Sequence, residues 1–179
     1  MKIAIAGKMG SGKSWIANLL VKEYGFYKTS FAKRVKELVV ELFDTQEKNR
    51  DLLIKIATFM RQIDSEVWIR QTLKDIDSQK NQHVVIDDLR LSNEYQELKK
   101  QGWFFIKLNI DEEQRVQRIK DTYLNDAESH LKHQCSITEN DVCVFPDLYF
   151  DLVIEDSHTV KNSIEKILND IINSRVNEF

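Results

Sequence analysis

Apolar residues recur along this chain in two rhythms, and the alternation between them lays out the elements. The opening MKIAIAG is apolar over a strand's length and stops at a glycine, whereas KSWIANLLVKEYG carries its apolar residues at helical spacing and ends on Gly25, a helix-closing residue. A short extended piece, YKTS, follows. In SFAKRVKELVVELF the residues Phe31, Val35, Leu38, Val39 and Leu42 share one face, which predicts a helix from near Ser30. RDLLIKIATFMRQ and SEVWIRQTLKDIDSQ predict two more, divided at Ile63 and Asp64, with Asp64 or Ser65 placed to cap the second. HVVID, SNEYQELKKQG and WFFIKLNI read as strand, helix and strand, with Ser92 as the expected N-cap and Gly102 as the stop. DEEQRVQRIKDTYL predicts a helix with Asp111 and Gln114 at capping-box spacing. From Asn125 to Phe150 no period is clear; FDLVIE is then a last strand and TVKNSIEKILNDII a last helix burying Val160, Ile164, Ile167 and Ile171.

Strands that are apolar throughout, alternating with amphipathic helices, predict an α/β three-layer sandwich: a parallel sheet of about five strands with helices on both faces. A length of 179 residues suits a single domain, 1–179. Charge narrows the partners. With 26 basic and 29 acidic residues well mixed and a net charge of −3, no basic field exists to hold a polyanion, so nucleic acid is not an expected partner. No apolar run approaches the roughly 18 residues of a membrane span, and the N-terminal run is too short for a signal segment, so no membrane association and a cytoplasmic location are expected. Two cysteines, Cys135 and Cys143, suit a reducing compartment. Whether the chain forms a homodimer is left open.

Candidate chemistry enters with GKMGSGKS, positions 7–14, which holds three of the chain's five glycines. It fits G-x-x-x-x-G-K-[ST], with a strand before and a helix after, the context that gives this phosphate-binding loop its meaning. Gly7, Lys8, Met9, Gly10, Ser11, Gly12, Lys13 and Ser14 are thus the expected nucleotide-binding set. Glycines let backbone N–H groups approach phosphate oxygens, and the following helix N-terminus adds its own donors. Lys13 is expected on the β and γ phosphates and the Ser14 hydroxyl on Mg²⁺. ATP and Mg²⁺ are the expected cofactors of a P-loop NTPase.

A second phosphorylated molecule brought against the first needs cations of its own, since two polyanions repel. Arg90 lies just past the carboxyl end of a predicted strand, where open α/β sheets bind ligands. Asp87 fits the acid that orients Mg²⁺, and Asp88 beside it either shares that role, contacts the acceptor or is a solvated turn. Arg34 opens one predicted helix, Arg61 ends another, and Arg115 and Arg118 stand three apart on a third.

Together GKMGSGKS, TSFAKRVKELVVELF, RQIDSEVWIR, VVIDDLRLSNEYQELKKQGWFFIKLN and FDLVIE, in this order, resemble the deoxynucleoside monophosphate kinases of bacteriophages, within the adenylate kinase-like P-loop kinases. The most specific matches are I-D-x-x-x-W after an arginine (Arg61, Ile63, Asp64, Trp68) and D-D-x-R-x-x-N-E (Asp87, Asp88, Arg90, Asn93, Glu94). The resemblance implies ATP and Mg²⁺ as donor system and a small-molecule nucleotide, a deoxynucleoside monophosphate, as acceptor. It implies acceptor-binding helices at about 30–80 and a closing region at about 111–145, and it places Arg90 on the acceptor phosphate. Lys13, Arg90, Asp87, Arg115 and Arg118 become the expected catalytic set. Phe31, Arg34, Arg61, Asp64, Trp68, Asp88, Arg90, Asn93 and Glu94 become the expected acceptor set. Phe31 and Trp68 either stack on the base or fill the core, and Glu94 either meets the substrate or steadies a helix N-terminus.

Two other readings remain at this level. His130, His133, Cys135 and Cys143 fall within fourteen positions and either form a zinc site or serve as polar loop chemistry and apolar fillers. The same loop also suits another small-molecule kinase, of dephospho-coenzyme A or phosphomevalonate type, or a nucleotide-dependent switch.

Overall fold

The computed structural model describes residues 1–44, 49–80, 83–124, 145–155 and 162–166. Five strands form one sheet: β1 (Lys2–Gly7), β2 (Tyr27–Thr29), β3 (Val84–Leu89), β4 (Phe104–Leu108) and β5 (Leu152–Ile154), in the order β2-β3-β1-β4-β5. All four pairings are parallel. The helices are α1 (Lys13–Tyr24), α2 (Ala32–Phe43), α3 (Arg50–Ile63), α4 (Val67–Ser78), α5 (Ser92–Lys100) and α6 (Glu112–Thr122).

Alternation along β1 divides the core into two layers. Ile3 and Ile5 face α1, joining Ile16, Ala17 and Leu20, while Ala4 and Ala6 face the other way, where Phe31, Ile69, Ile76, Tyr95 and Leu98 pack. The expected sandwich is thus present, and the small alanines at the centre of the second layer leave room for aromatic neighbours. Burying each Ile or Leu here contributes about 1.5–3 kcal/mol. YKTS forms the edge strand β2. Of the expected last helix, residues 162–166 are described and Ile164 is buried; Val160, Ile167 and Ile171 lie outside the described residues.

Three local expectations change. Leu42, in the last turn of α2, is 62% exposed, as are its neighbours Val40 and Phe43 at 56% and 49%. The N-cap of α5 is Leu91, not Ser92, and the Glu94 carboxylate reaches back to accept from the Leu91 N–H. Asp64 accepts from the Glu66 N–H at 3.0 Å and so closes the α3–α4 corner, two residues ahead of the α4 N-cap, Glu66.

The outer helices are anchored unequally. Asp75 of α4 accepts from Tyr27 Oη (2.8 Å), Thr29 Oγ1 (3.1 Å) and Lys33 Nζ (3.0 Å), tying α4 to β2 and α2. Helix α3 buries no side chain fully and rests on α2 and α4. Trp68 of α4 supports it, donating from Nε1 to the Ala57 carbonyl at 3.1 Å.

Candidate active site

The loop between β1 and α1 leaves the carboxyl edge at the central strand, and its shape requires glycine at two points. Gly10 has φ +79°, and a Cβ there would stand 2.7 Å from the Arg115 carbonyl oxygen, so the loop lies directly on the backbone of α6. Gly12 has φ +98° and occupies the N-cap position of α1, the point from which the helix's unpaired N–H groups begin. The Lys13 ammonium is held across the loop by the Gly7 and Lys8 carbonyl oxygens, the latter at 2.9 Å. Ser11 Oγ is buried and has no hydrogen-bond partner among the described residues.

Ser14 Oγ donates to Asp87 Oδ2 at 2.8 Å, which joins the first turn of α1 to the end of β3. A hydroxyl and a carboxylate set side by side at the end of a phosphate-binding loop are hard oxygen donors, and this pair fits Mg²⁺ with water completing the shell. The same Oδ2 also carries Lys28 Nζ at 2.9 Å. Lys28 was not expected here; it reaches the site because β2 lies beside β3 in parallel register, Lys28 opposite Val85.

Between Ala4↔Ile86 and Ala6↔Leu89 the β1–β3 register slips by one residue. An extra residue in a strand re-aims its side chains, and here the two consecutive acids separate. Asp87 turns to α1, while Asp88 accepts from the Phe31 N–H (2.9 Å) and the Ala32 N–H (3.0 Å) and caps α2 from outside the helix. With one backbone donor on each oxygen, Asp88 fixes the start of α2 against the end of β3. Burial raises its pKa, against the pull of those two hydrogen bonds.

Beside Asp88 lies a cavity of about 150 Å³ lined by Phe31, Val35, Lys36, Arg50, Leu53, Ile54, Ala57, Arg61, Arg90 and Glu94 among others. Four cations and one aromatic ring converge on it. Glu94 is its buried acid: Oε2 accepts from the Arg90 and Leu91 N–H groups, both at 3.0 Å, and Oε1 stands 3.9 Å from Arg61 Nη2. Burial, with Asp88 nearby, pushes its pKa up to about 7. Burial lowers that of Arg61. Glu94 therefore both starts α5 and fixes the Arg90 backbone while lining the cavity.

The structure brings Phe31, Arg61, Asp88, Arg90 and Glu94 to this cavity and leaves four others of the expected acceptor set off its wall. Arg34 is exposed and pairs with Glu37 (3.3 Å) and Glu41 (3.8 Å). Asp64 pairs with Arg70 on the surface. Trp68 is 3% exposed, with its ring nitrogen on the Ala57 carbonyl. Asn93 donates to the Ser65 carbonyl at 3.0 Å and so ties α5 to the α3–α4 corner.

The α6 pair also divides. Arg115 is 3% exposed at its side chain and is spent on the Met9 carbonyl (2.7 Å) and Glu112 (3.6 Å); it braces the loop. Arg118 Nη1 lies 3.8 Å from the Cβ position of Gly12, over the loop. Residues 125–144 of the expected closing region, with His130, His133, Cys135 and Cys143, lie outside the described residues. Among the described residues no metal-binding cluster of His, Cys, Asp and Glu is present, and no helix is long and apolar enough to cross a membrane.

Sequence reasoning missed Lys28, Lys36 and Arg50. For Arg50 a signal existed: it is the first residue of α3, where the positive end of the helix dipole disfavours a cation. An arginine so placed invites the question of what else it serves.

Comparison with known proteins agrees with this architecture. A solved structure of TT1252 from Thermus thermophilus superposes with a TM-score of 0.58 at 18% identity over 97% of each chain. The shikimate kinase of Acinetobacter baumannii, in complex with shikimate, gives 0.54 at 15% identity over 97% of this chain and 93% of that one. The shikimate kinase of Aquifex aeolicus gives 0.51 at 18% identity, covering 98% and 99%. At these identities the likeness is one of fold. A search of the curated proteins returned no match. The family model described as AAA domain matches residues 3–143, from the first strand past the loop, the acids of β3 and helix α6. On that match the chain belongs to the AAA domain family.

Proposed function

We propose that the protein transfers the γ-phosphoryl group of ATP to the phosphate of a (deoxy)nucleoside monophosphate, giving ADP and the nucleoside diphosphate. One observation carries this reading: Lys36, Arg50, Arg61 and Arg90 line one cavity with the Phe31 ring, on the β3 side of a phosphate-binding loop. Cations at that density suit an anionic acceptor, and the apolar wall of Phe31, Val35, Leu53 and Ile54 suits a base. The resemblance to phage monophosphate kinases in D-D-x-R-x-x-N-E and I-D-x-x-x-W points the same way.

In this reading the loop amides and Lys13 hold the β and γ phosphates, and Arg90 and Arg61 hold the acceptor phosphate. The donor's nucleoside goes to a cavity of about 430 Å³ on the opposite flank, lined by Gly7, Lys8, Asn109, Asp111, Arg115 and Glu155 among others. Ser14 and Asp87 would hold Mg²⁺, which when bound neutralises charge on the β and γ oxygens. Arg118 adds charge over the loop. No dedicated base is required, because a phosphate oxygen is already ionised and alignment supplies most of the rate.

A cavity of about 150 Å³ is smaller than the ~300 Å³ at which ligand sites begin. Seating a nucleoside therefore requires the cavity to widen, and its α3 wall of Leu53, Ile54 and Ala57 is only half-buried.

The test is ADP release from ATP and Mg²⁺ with a panel of nucleoside and deoxynucleoside monophosphates, with shikimate and dephospho-coenzyme A alongside. Release that depends on one or a few monophosphates is expected. Release driven by shikimate or dephospho-coenzyme A would replace the acceptor, and hydrolysis indifferent to every acceptor would replace the kinase reading with a switch.

A further inference from the structure

We propose that Lys28 is a positioning residue that acts through Asp87. Its ammonium keeps the Ser14–Asp87 pair from holding a divalent cation on its own, so that metal is retained there only together with the phosphates of the nucleotide. This rests on the phosphate-loop and Mg²⁺ assignments of the reading above, is independent of the acceptor, and adds a residue that the expected site did not contain.

The strand sets the direction. Along β2 the hydroxyls of Tyr27 and Thr29 both go to Asp75 of α4. Lys28 stands between them and turns to the opposite face, as the two-residue period of a strand requires. There its Nζ stands 2.9 Å from Asp87 Oδ2 and donates to Asn18 Oδ1 at 3.1 Å. Ser14 Oγ donates to the same Asp87 oxygen at 2.8 Å. Ser14 and Asn18 are four residues apart on α1 and so share one face of it. Asp87 and Lys28 are therefore clasped between two successive turns of the helix that carries the loop.

The charges in this clasp decide what it can bind. The carboxylate available to a metal is already matched by one positive charge. With the Asp87 side chain 10% exposed and that of Lys28 30%, water screens the pair weakly, and a second cation brought to the same oxygen meets the ammonium at close range. A hydroxyl beside one neutralised carboxylate is a poor site for a lone divalent ion, because such sites draw their affinity from the number of charged ligands. A triphosphate changes the balance: its charge offsets the ammonium and its oxygens supply further ligands. Metal and nucleotide then bind with positive coupling, each raising the affinity of the other. A lysine suits the task, since its point charge rides on a flexible stem and can stay on Asn18 while the carboxylate re-aims.

The experiment titrates wild type, Lys28→Gln, Lys28→Met and Lys28→Arg with Mn²⁺, followed by the electron paramagnetic resonance signal of the free ion, first without nucleotide and then with a non-hydrolysable ATP analogue. Without nucleotide, Lys28→Gln and Lys28→Met should bind Mn²⁺ about tenfold more tightly than wild type, the scale of removing one nearby unit charge. Lys28→Arg keeps the charge and should stay within about threefold of wild type. With the analogue present, the gap between the neutral variants and wild type should narrow. Adding Asp87→Asn to Lys28→Met should abolish the gain. Neutral variants that bind Mn²⁺ no better than wild type, or not measurably, overturn the proposal. So does an equal gain in Lys28→Arg, a gain that survives Asp87→Asn, or a gap that the analogue leaves unchanged. Thermal midpoints identify a variant that has not folded, in which case the other neutral variant carries the comparison; failure of both to fold shows Lys28 to be a structural tie and overturns the proposal. If wild type binds neither the analogue nor Mn²⁺ with it, the phosphate-loop reading fails first and takes this assignment with it.

Discussion

Replacing Glu94 by glutamine should flatten the pH dependence of stability. In the folded chain Glu94 keeps its proton up to about pH 7, whereas unfolded it ionises near 4.5. Below the lower value both states are protonated, and the stability tied to the neutral side chain is fully present. Between the two values unfolding releases a proton, so that stability is lost progressively as pH rises through about 7. At about 1.4 kcal/mol per unit, the displacement amounts to about 2.5 kcal/mol between pH 5 and pH 8. A glutamine oxygen can still accept from the Arg90 and Leu91 N–H groups, now both at 3.0 Å from the carboxylate, so the start of α5 should survive. Any constant cost of the substitution cancels when slopes are compared. Urea unfolding followed by tryptophan fluorescence at pH 5 and pH 8 measures this for both proteins. Wild type should lose about 2.5 kcal/mol more than Glu94→Gln across the interval. Parallel profiles would show that Glu94 is ionised at neutral pH in the folded chain, and the account of a buried neutral acid beneath Arg90 would fail.

Gly10→Ala should destabilise by about 2–5 kcal/mol, since a Cβ at φ +79° meets the Arg115 carbonyl at 2.7 Å and left-handed strain adds to overpacking; differential scanning calorimetry should show a fall of several degrees. Arg115→Met removes the brace on the Met9 carbonyl, a charged hydrogen bond of about 1.5–3 kcal/mol, so affinity for an ATP analogue should drop roughly tenfold or more while the KM of the acceptor holds; an unchanged ATP affinity would refute the bracing role. Arg90→Ala should lower kcat/KM for the acceptor by about 10²-fold, and full turnover at low acceptor concentration would remove Arg90 from the acceptor site. Lys13→Ala should abolish transfer in the same assay, with circular dichroism unchanged.

Much of the architecture was legible because it rests on local patterns. Continuous apolar runs marked β1, β3 and β4 as strands buried on two faces, Gly25 and Gly102 marked helix ends, and GKMGSGKS between a strand and a helix marked a phosphate-binding loop by its glycines, Lys13 and Ser14. The acids near the end of β3 and the arginine just after it were legible too, since a strand's carboxyl end is where such sheets present side chains.

Partnership was not legible, because it depends on which elements become neighbours. A one-residue slip in the β1–β3 register sends Asp87 to Ser14 and Asp88 to the start of α2, a division that two adjacent aspartates in a sequence do not announce. Arg115 and Arg118 share a helix face at their spacing, yet the loop crossing at Gly10 buries one beneath it and leaves the other above. Lys28 and Arg50 reach the site only through strand order and helix packing. The sequence by itself determined the elements and the chemistry of the loop, since both follow from periodicity and from backbone freedom over a few residues. Only the tertiary structure decided which charges face each other, since contacts between distant segments depend on register and packing that no local pattern encodes.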